Sequence, residues 1–192
     1  MGMTGADVPI RTIVAVEGFS DEAALLTLAD RRKIDLSALG VRIAWIGGAH
    51  GIGRFLAERP RDVAVAGLCD AGEEHVFRRA LERSGFGASL TREEMERVGF
   101  YVCEADLEDE LIRSHGTEAV ETILEREDDL DRFRMFQHQP AQRDRPLEAQ
   151  LHRFLRTTSG RNVRYARVLI ETLDAGRFPR PLNDLLTHLT KT

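Results

Sequence analysis

Cysteine and long apolar runs are scarce in this chain, and each scarcity excludes a class of protein. The two cysteines, Cys69 and Cys103, each lie in an apolar run typical of a strand, which predicts buried thiols rather than zinc ligands. So few cysteines favour a reducing compartment, and we expect a cytoplasmic location. No apolar run approaches the roughly 18 residues of a membrane span, and the N-terminal residues lack the apolar segment of a secretory signal. We therefore expect no membrane partner.

The chain also lacks an excess of basic residues. Its formal net charge is -5, with 31% charged and 42% hydrophobic residues, which is typical of a globular protein. This charge argues against a protein coated in basic surface for nucleic acid. It is compatible with an enzyme that holds acids around metal ions and keeps its basic residues on a separate rim. No G-x-x-x-x-G-K-[ST] motif occurs, so the sequence does not predict a P-loop ATPase within this chain.

Apolar runs alternate with amphipathic segments in the first half of the chain. Continuous apolar strands separated by helices are typical of a parallel sheet covered on both faces. The pattern therefore predicts an α/β sandwich of about four parallel strands. These strands are expected within residues 11–18, 41–48, 62–72 and 99–112.

The second half of the chain shows only helical periodicity. We expect helices over residues 116–127, 147–160 and 162–176, and a loop over 136–146. The sequence thus divides into a flexible tail, an α/β core and a helical C-terminal extension packed on that core. Their predicted bounds are residues 1–10, 11–115 and 116–192.

Acids follow the apolar runs at three of the four predicted strand ends. Glu17 follows the first strand, Asp70 the third, and Glu104 and Asp106 the fourth, while Asp21 lies in the helical turn after Glu17. Ligands of an open parallel sheet bind outside the carboxyl ends of the strands, so these acids are expected to converge there. Like charges packed together call for a divalent cation with oxygen ligands. The alternative is that each acid caps a turn or a helix.

Three stretches that carry these acids resemble a known domain. "VEGFSDEAALL", "GLCDAGEE" and "VCEADLEDELI" together are similar to the Toprim domain, and most similar to that of OLD-family ATP-dependent endonucleases, over roughly residues 11–175. The resemblance implies a Toprim-like, Rossmann-like α/β fold. It also implies Mg²⁺- or Mn²⁺-dependent chemistry on phosphodiester bonds with two metal ions.

The resemblance implies a role for each matching residue. Glu17 and Asp70 match catalytic positions, and the phosphate charge is expected to be met by Arg161 and Arg164. The implied metal ligands are Glu17, Asp21, Asp70, Asp106 and Glu108.

The sequence departs from the family pattern at two places. The second aspartate of the family's D-x-D motif is absent, because the sequence reads Asp70-Ala71-Gly72, and Glu73 or Glu74 is the alternative ligand. The family's lysine aligns with Asn162, so an arginine is expected to supply the positive charge in its place. Arginine presents that charge as a planar fork, and the exchange is therefore not conservative.

Basic residues in three segments are candidates for binding nucleic acid. These segments are the glycine-rich turn 47–55, the stretch 132–146 with interleaved phenylalanines, and the basic stretch 156–167. The first is equally typical of a tight turn, and the second of a solvated loop with two core phenylalanines. Trp45 is expected to fill the core or an interface. The candidate nucleic-acid-binding residues are Arg54, Arg143, Arg145, Arg156, Arg161 and Arg164.

Two hypotheses for function follow. The first is a Mg²⁺-dependent nuclease or related phosphodiester-transfer enzyme, with DNA favoured over RNA as substrate and a homodimer left open. The second is a catalytically silent Toprim domain that binds a partner ATPase or nucleic acid. A receiver-like regulator ranks last, because it needs a strand-end lysine and the only lysines are Lys33 and Lys191.

Overall fold

The four predicted strands form one parallel sheet. The computed structural model describes residues 8–158 and 160–191, and in this part of the chain the strand order is β2-β1-β3-β4. The predicted fold class is confirmed. Residues 1–7 of the predicted tail lie outside the described range. The strands are β1 Thr12–Val16, β2 Val41–Trp45, β3 Ala64–Cys69 and β4 Phe100–Val102.

Helices follow each strand and then continue without further strands to the end of the described chain. A one-turn 3₁₀ helix precedes α2 (Ala49–Gly51) and another precedes α3 (Ala71–Glu73). The α-helices are α1 Phe19–Arg31, α2 Ile52–Glu58, α3 Glu74–Arg83, α4 Arg92–Arg97, α5 Leu107–His115, α6 Thr117–Arg126, α7 Leu130–Gln137, α8 Leu147–Arg156, α9 Arg161–Thr172 and α10 Arg180–Leu189.

Hydrophobic clusters cover both faces of the sheet. Side chains of β1 alternate between the two clusters, as the period of a strand requires: Val14 and Val16 join one, and Ala15 joins the other. The first cluster includes α1 and the C-terminal helices, and the second includes α2, α3 and α4. Burial on both faces explains why β1 reads as an unbroken apolar run.

The C-terminal helices belong to the same core as the sheet. Helix α9 packs along α1, and α10 packs against β3 and β4. The Arg31 guanidinium on α1 donates to the carbonyl oxygens of Ile170, at 2.7 Å, and Leu173. The division at residue 115 stays a prediction, and the larger hydrophobic cluster draws residues from both sides of it.

Two helices differ from the sequence expectation. Helix α7 ends at Gln137, so the predicted loop over 136–146 begins later than expected, and α10 had not been predicted. Within residues 8–158 and 160–191, no helix combines the length and apolar character needed to cross a membrane.

Candidate functional site

The carboxyl ends of β1 and β3 meet through Glu17. This residue directly follows β1, and its Oε1 accepts a hydrogen bond from the backbone N–H of Asp70, which directly follows β3, at 3.2 Å. Burial raises the pKa of Glu17, and the negative charge of Glu73 adds to the rise. The parallel pairing of the two strands therefore places the two strand-end acids side by side.

Asp21 lies in the first turn of α1 and faces the same site. Its Oδ2 accepts a hydrogen bond from the backbone N–H of Gly18 at 2.9 Å, so it also caps the helix, as the alternative interpretation expected. Burial, followed by the charges of Glu108 and Glu17, raises its pKa to about 7. A cap alone does not explain a carboxyl group held this close to other acids.

Asp70 has the most strongly raised carboxyl pKa of the five predicted metal ligands. Burial raises this pKa to about 8, and the charges of the other four acids contribute to the rise. Its side chain makes no hydrogen bond or ion pair with any residue that the structure describes. We call these five acids, Glu17, Asp21, Asp70, Asp106 and Glu108, the acid rim.

Asp106 and Glu108 lie beside a positively charged side chain, that of Arg156. Asp106 caps α5, where its Oδ1 accepts from the backbone N–H of Asp109 at 2.9 Å. Its Oδ2 accepts hydrogen bonds from Nε2 of His152, at 2.7 Å, and from Arg156. Oε2 of Glu108 lies 3.9 Å from Nη1 of Arg156.

The pKa values of this group follow from these contacts. Although burial opposes it, the hydrogen bond from His152 and the charges nearby lower the pKa of Asp106. The same hydrogen bond raises the pKa of His152. Burial and the charge of Asp106 raise the pKa of Glu108. His152 was not predicted from the sequence, although its position four residues before Arg156 puts both on one face of α8.

A cleft of about 710 Å³ opens over the acid rim. Four acids of the rim line it together with Arg156 and with Asn162, the residue predicted from the sequence to stand at the lysine position of the OLD-type pattern. The acid rim is thus assembled from β1, β3 and the first turns of α1 and α5, while α8 and α9 close the cleft. The lining acids are Glu17, Asp21, Asp70 and Glu108.

Arg161 and Arg164 are not brought to the acid rim. The Arg161 guanidinium lies 4.0 Å from the ring centroid of Phe154 and donates to the Phe154 carbonyl oxygen at 3.1 Å. Arg164 donates to Glu127 Oε2 at 2.7 Å and to Asp129 Oδ2 at 3.1 Å. Each arginine thus has local partners, and a phosphate-binding role for either stays a prediction.

The remaining candidate arginines lie at other places on the surface. Arg54 is exposed on α2. Arg143 and Arg145 are exposed in the loop before α8, and Nε of Arg145 donates to the Ala141 carbonyl oxygen at 3.0 Å. Because α8 has ten residues, this loop lies about 15 Å from Arg156 along the helix. Of the six candidates, only Arg156 lines the cleft.

The structure distinguishes the two acids proposed to replace the missing aspartate. Glu74 forms ion pairs with Arg92 and Arg78 and is therefore engaged away from the acid rim. Glu73 lies close enough to Glu17 to raise its pKa. Glu73 is thus the better placed of the two.

Sequence reasoning missed an aromatic pair at this cleft. Phe19 and Trp45 line the cleft beside the acids, and their ring centroids are 4.9 Å apart. Trp45 was expected in the core or an interface; it is 57% exposed, so the core alternative is wrong, and the interface alternative stays a prediction. It occupies the last position of an edge strand, where a side chain is not forced into the core.

The acid rim fits a divalent cation in its chemistry. All its donors are oxygens, as Mg²⁺ and Mn²⁺ prefer. The pKa values of Asp21 and Asp70 are raised to about 7 and about 8, and no Lys, Arg or His in the described part of the chain forms an ion pair with either. Across the described residues, no group of three or more His, Cys, Asp or Glu side chains is arranged so that these side chains alone could hold a metal ion. Water or substrate oxygens would complete the coordination of such an ion, as is common for Mg²⁺.

A parallel four-stranded sheet with acids at its strand ends and helices on both faces defines a Toprim-like α/β fold. The C-terminal region of the Burkholderia pseudomallei OLD protein is similar, with a TM-score of 0.71 and 17% identity over 95% of this chain and 98% of that one. The C-terminal region of the Xanthomonas campestris pv. campestris OLD protein has a TM-score of 0.68 and 20% identity over 95% of this chain and 93% of that one. No family model matches the sequence, and no curated protein matches it. The predicted resemblance to OLD proteins is therefore confirmed as a shared fold.

Proposed function

We propose that the acid rim binds Mg²⁺ or Mn²⁺ and that the protein hydrolyses phosphodiester bonds of nucleic acid. The observation that carries this proposal is the convergence of four acids, Glu17, Asp21, Asp70 and Glu108, from four separate elements on one cleft. Asp70 in that cleft has a pKa raised to about 8 by burial and by the other acids. Carboxyl groups with strongly perturbed pKa values in a cleft mark a candidate functional site.

Glu17, Asp21, Asp70 and Glu108 are the residues that would hold the ions. A bound divalent ion would stabilise charge on the scissile phosphate and supply a water of lowered pKa. Arg156, whose guanidinium is fixed by Asp106, would contact the phosphate from the other side of the cleft. Its role would replace that of the family's lysine, whose aligned residue is Asn162.

The choice of nucleic acid as substrate is supported by the shared fold with OLD proteins. The family resemblance implies DNA more directly than RNA, and it implies cooperation with an ATPase, here as a separate chain. The cleft is open, as a polymer that enters from the side requires. Arg156, which lines the cleft, would provide positive charge for a phosphate of the backbone.

A catalytically silent domain is the second candidate, and a specific observation favours it. Asp106 is already occupied by Arg156 and His152, and Gly72 and Asn162 stand at two positions where the family pattern has functional residues. Under this alternative the cleft would bind nucleic acid or a partner ATPase without cleaving a bond.

A cleavage assay decides between the two candidates. Labelled single- and double-stranded DNA and RNA are incubated with purified protein and Mg²⁺, Mn²⁺ or EDTA, and ion binding is measured by calorimetry. We expect metal-dependent cleavage that falls at least about 100-fold in Glu17→Gln and Asp70→Asn.

The matched control is Glu104→Gln. Glu104 is also a strand-end acid, but it is exposed and ion-paired with Arg113, so cleavage by this variant should equal that of the wild type. Nuclease activity is ruled out if no substrate is cut with either ion while calorimetry shows that the ions bind. A loss of activity in Glu104→Gln equal to that in Asp70→Asn would contradict the assignment to the acid rim.

A further inference from the structure

Two aromatic rings are exposed side by side at the edge of the cleft. Phe19 is 54% exposed and Trp45 is 57% exposed. Their ring centroids lie 4.9 Å apart and their planes are tilted by 34°. Large aromatic side chains gain much free energy from burial, so an exposed adjacent pair indicates a surface that binds something flat and apolar.

The pair is built into the acid rim rather than placed near it by chance. Trp45 is the register partner of Val16 in the parallel pairing of β1 and β2, so it lies one strand spacing from the residue that precedes Glu17. Phe19 follows Glu17 by two residues and begins α1. Both rings and the acids Glu17 and Asp70 line the same cleft.

The chain leaves open space next to these rings. Gly47 and Gly48 follow Trp45 closely and have φ angles of +74° and +88°, in the left-handed region that favours glycine. A Cβ built at either position would meet no atom within 4 Å. The turn that follows Trp45 therefore places no side chain of its own in this space.

We propose that Phe19 and Trp45 stack an unpaired nucleobase of the strand whose phosphodiester lies at the acid rim. The inference rests on the proposed function and specifies its substrate class as single-stranded or locally unpaired nucleic acid. Aromatic side chains stack on any base, because every base has a π face. The bases of an intact duplex are covered by their neighbours and do not offer that face.

The proximity of the acids selects this occupant over a second protein chain. In a nucleic-acid strand each nucleobase presents a flat π face and is linked through its sugar to the phosphodiester backbone, the group that the acids and Arg156 are proposed to bind. A protein surface placed on the rings would bring no such group. A second copy of this chain would bring another acid rim into the first and add repulsion.

Trp45 is the only tryptophan in the sequence, so its fluorescence reports the site directly. The titration uses the Asp70→Asn protein in Mg²⁺, which keeps the strand intact, with three 12-mers: single-stranded DNA, the same strand in a duplex, and a strand with abasic positions. We expect saturable quenching by the single strand. The duplex and the abasic strand should bind about 10-fold or more weakly.

Variants test the two rings separately, with binding followed by anisotropy of labelled single strand. Trp45→Ala and Phe19→Ala should each weaken binding by about 10-fold or more, and Trp45→Phe should retain most of it. Met135→Ala is the matched control, because Met135 is 65% exposed on α7 and should leave binding unchanged. Circular dichroism verifies that each variant is folded.

Stacking is overturned if the abasic strand quenches as well as the intact one, or if Trp45→Ala binds single strand like the wild type. A change in molecular mass by sedimentation in Trp45→Ala, with unaltered strand binding, would assign the rings to a protein interface instead. Failure of the proposed function looks different, because the wild type would then cut no substrate while the quenching persists.

Discussion

Gly72 stands at the position where the family pattern has the second aspartate of its D-x-D motif, two residues after Asp70. Its φ angle lies outside the left-handed region, and a Cβ built there would meet no atom within 4 Å. The site therefore has room for a side chain without backbone strain. The absence of the aspartate here is a matter of sequence and is not forced by the fold.

We predict that Gly72→Asp increases Mg²⁺ affinity by about 10-fold, since an added carboxylate ligand strengthens a hard-cation site. Calorimetric titration with Mg²⁺ measures the change. Gly72→Asn is the control, because it has nearly the same shape without the charge and should bind Mg²⁺ like the wild type. An equal gain in both variants would show that the effect does not come from the added negative charge.

The sequence predicted the positions of the strand-end acids in the fold better than it predicted the positions of the arginine side chains. The acids could be predicted because a short side chain at a strand end stays where parallel pairing puts it, as for Glu17 and Asp70. Arginine side chains are long and settle on local partners. Arg164 reaches Glu127 and Asp129, and Arg161 stacks on Phe154, and neither contact has a sequence signal.

At the scale of elements, one buried acid joins two C-terminal helices. Asp129 is 2% exposed at the start of α7, and its Oδ2 accepts hydrogen bonds from Tyr165 Oη at 2.9 Å and from Arg164, both on α9. Its Oδ1 accepts from Arg132 at 2.7 Å. Because α9 also lines the cleft through Asn162, this junction supports one wall of the site.

We predict that Asp129→Ala lowers the free energy of unfolding by about 2 kcal/mol, because hydrogen bonds to a buried charged group are lost and the Tyr165 hydroxyl is left without its acceptor. Urea unfolding followed by circular dichroism measures this. Asp131→Ala is the control, since Asp131 is exposed on the same helix, and its effect should stay within about 0.5 kcal/mol. Equal stability of the two variants would argue against the junction.

The strength of the local sequence signal explains why some elements were predicted and others were missed. The strands had a local signal, an apolar run with β-branched residues, and all four were predicted. Helix α7 lacks a side-chain cap at its start. Asp129 precedes the helix, but its carboxylate accepts a hydrogen bond from Tyr165, which is distant in sequence, and does not cap the backbone N–H groups of the helix. Helix α10 lies within the predicted helical extension but was not predicted as a separate helix, and it packs against β3 and β4.

At the scale of the whole molecule, the acid rim opposes the stability of the metal-free fold. An acid whose pKa is raised by folding holds its proton more tightly in the folded state than in the unfolded chain, where an aspartate ionises near about 4. The free energy of unfolding therefore falls as the pH rises from about 4 toward the folded pKa. For Asp70 that folded pKa is about 8, and for Asp21 it is about 7.

Other titrating groups also change the free energy of unfolding with pH, but in a different pH range or in a way that a variant can separate. The lowered pKa values of Asp106 and Asp129 give stability that is lost only when the pH falls below about 4. His152 has a raised pKa, so its contribution is also lost as the pH rises. The contribution of His152 cancels when the wild type is compared with Asp70→Asn, because both proteins keep this histidine.

We predict that in EDTA the Asp70→Asn protein is more stable than the wild type, and that this difference grows by about 2 kcal/mol between pH 5 and pH 8. Adding Mg²⁺ should reverse the order at pH 8, because the ion binds the ionised wild-type carboxylate and stabilises the fold by about 2.7 kcal/mol at 100 times its dissociation constant. Thermal melts at the two pH values, with and without Mg²⁺, measure both effects. A stability difference that is the same at pH 5 and pH 8 would mean that Asp70 ionises as freely in the fold as in the unfolded chain. The acids of the rim would then not constrain one another, and the argument for a cation among them would fail with that result.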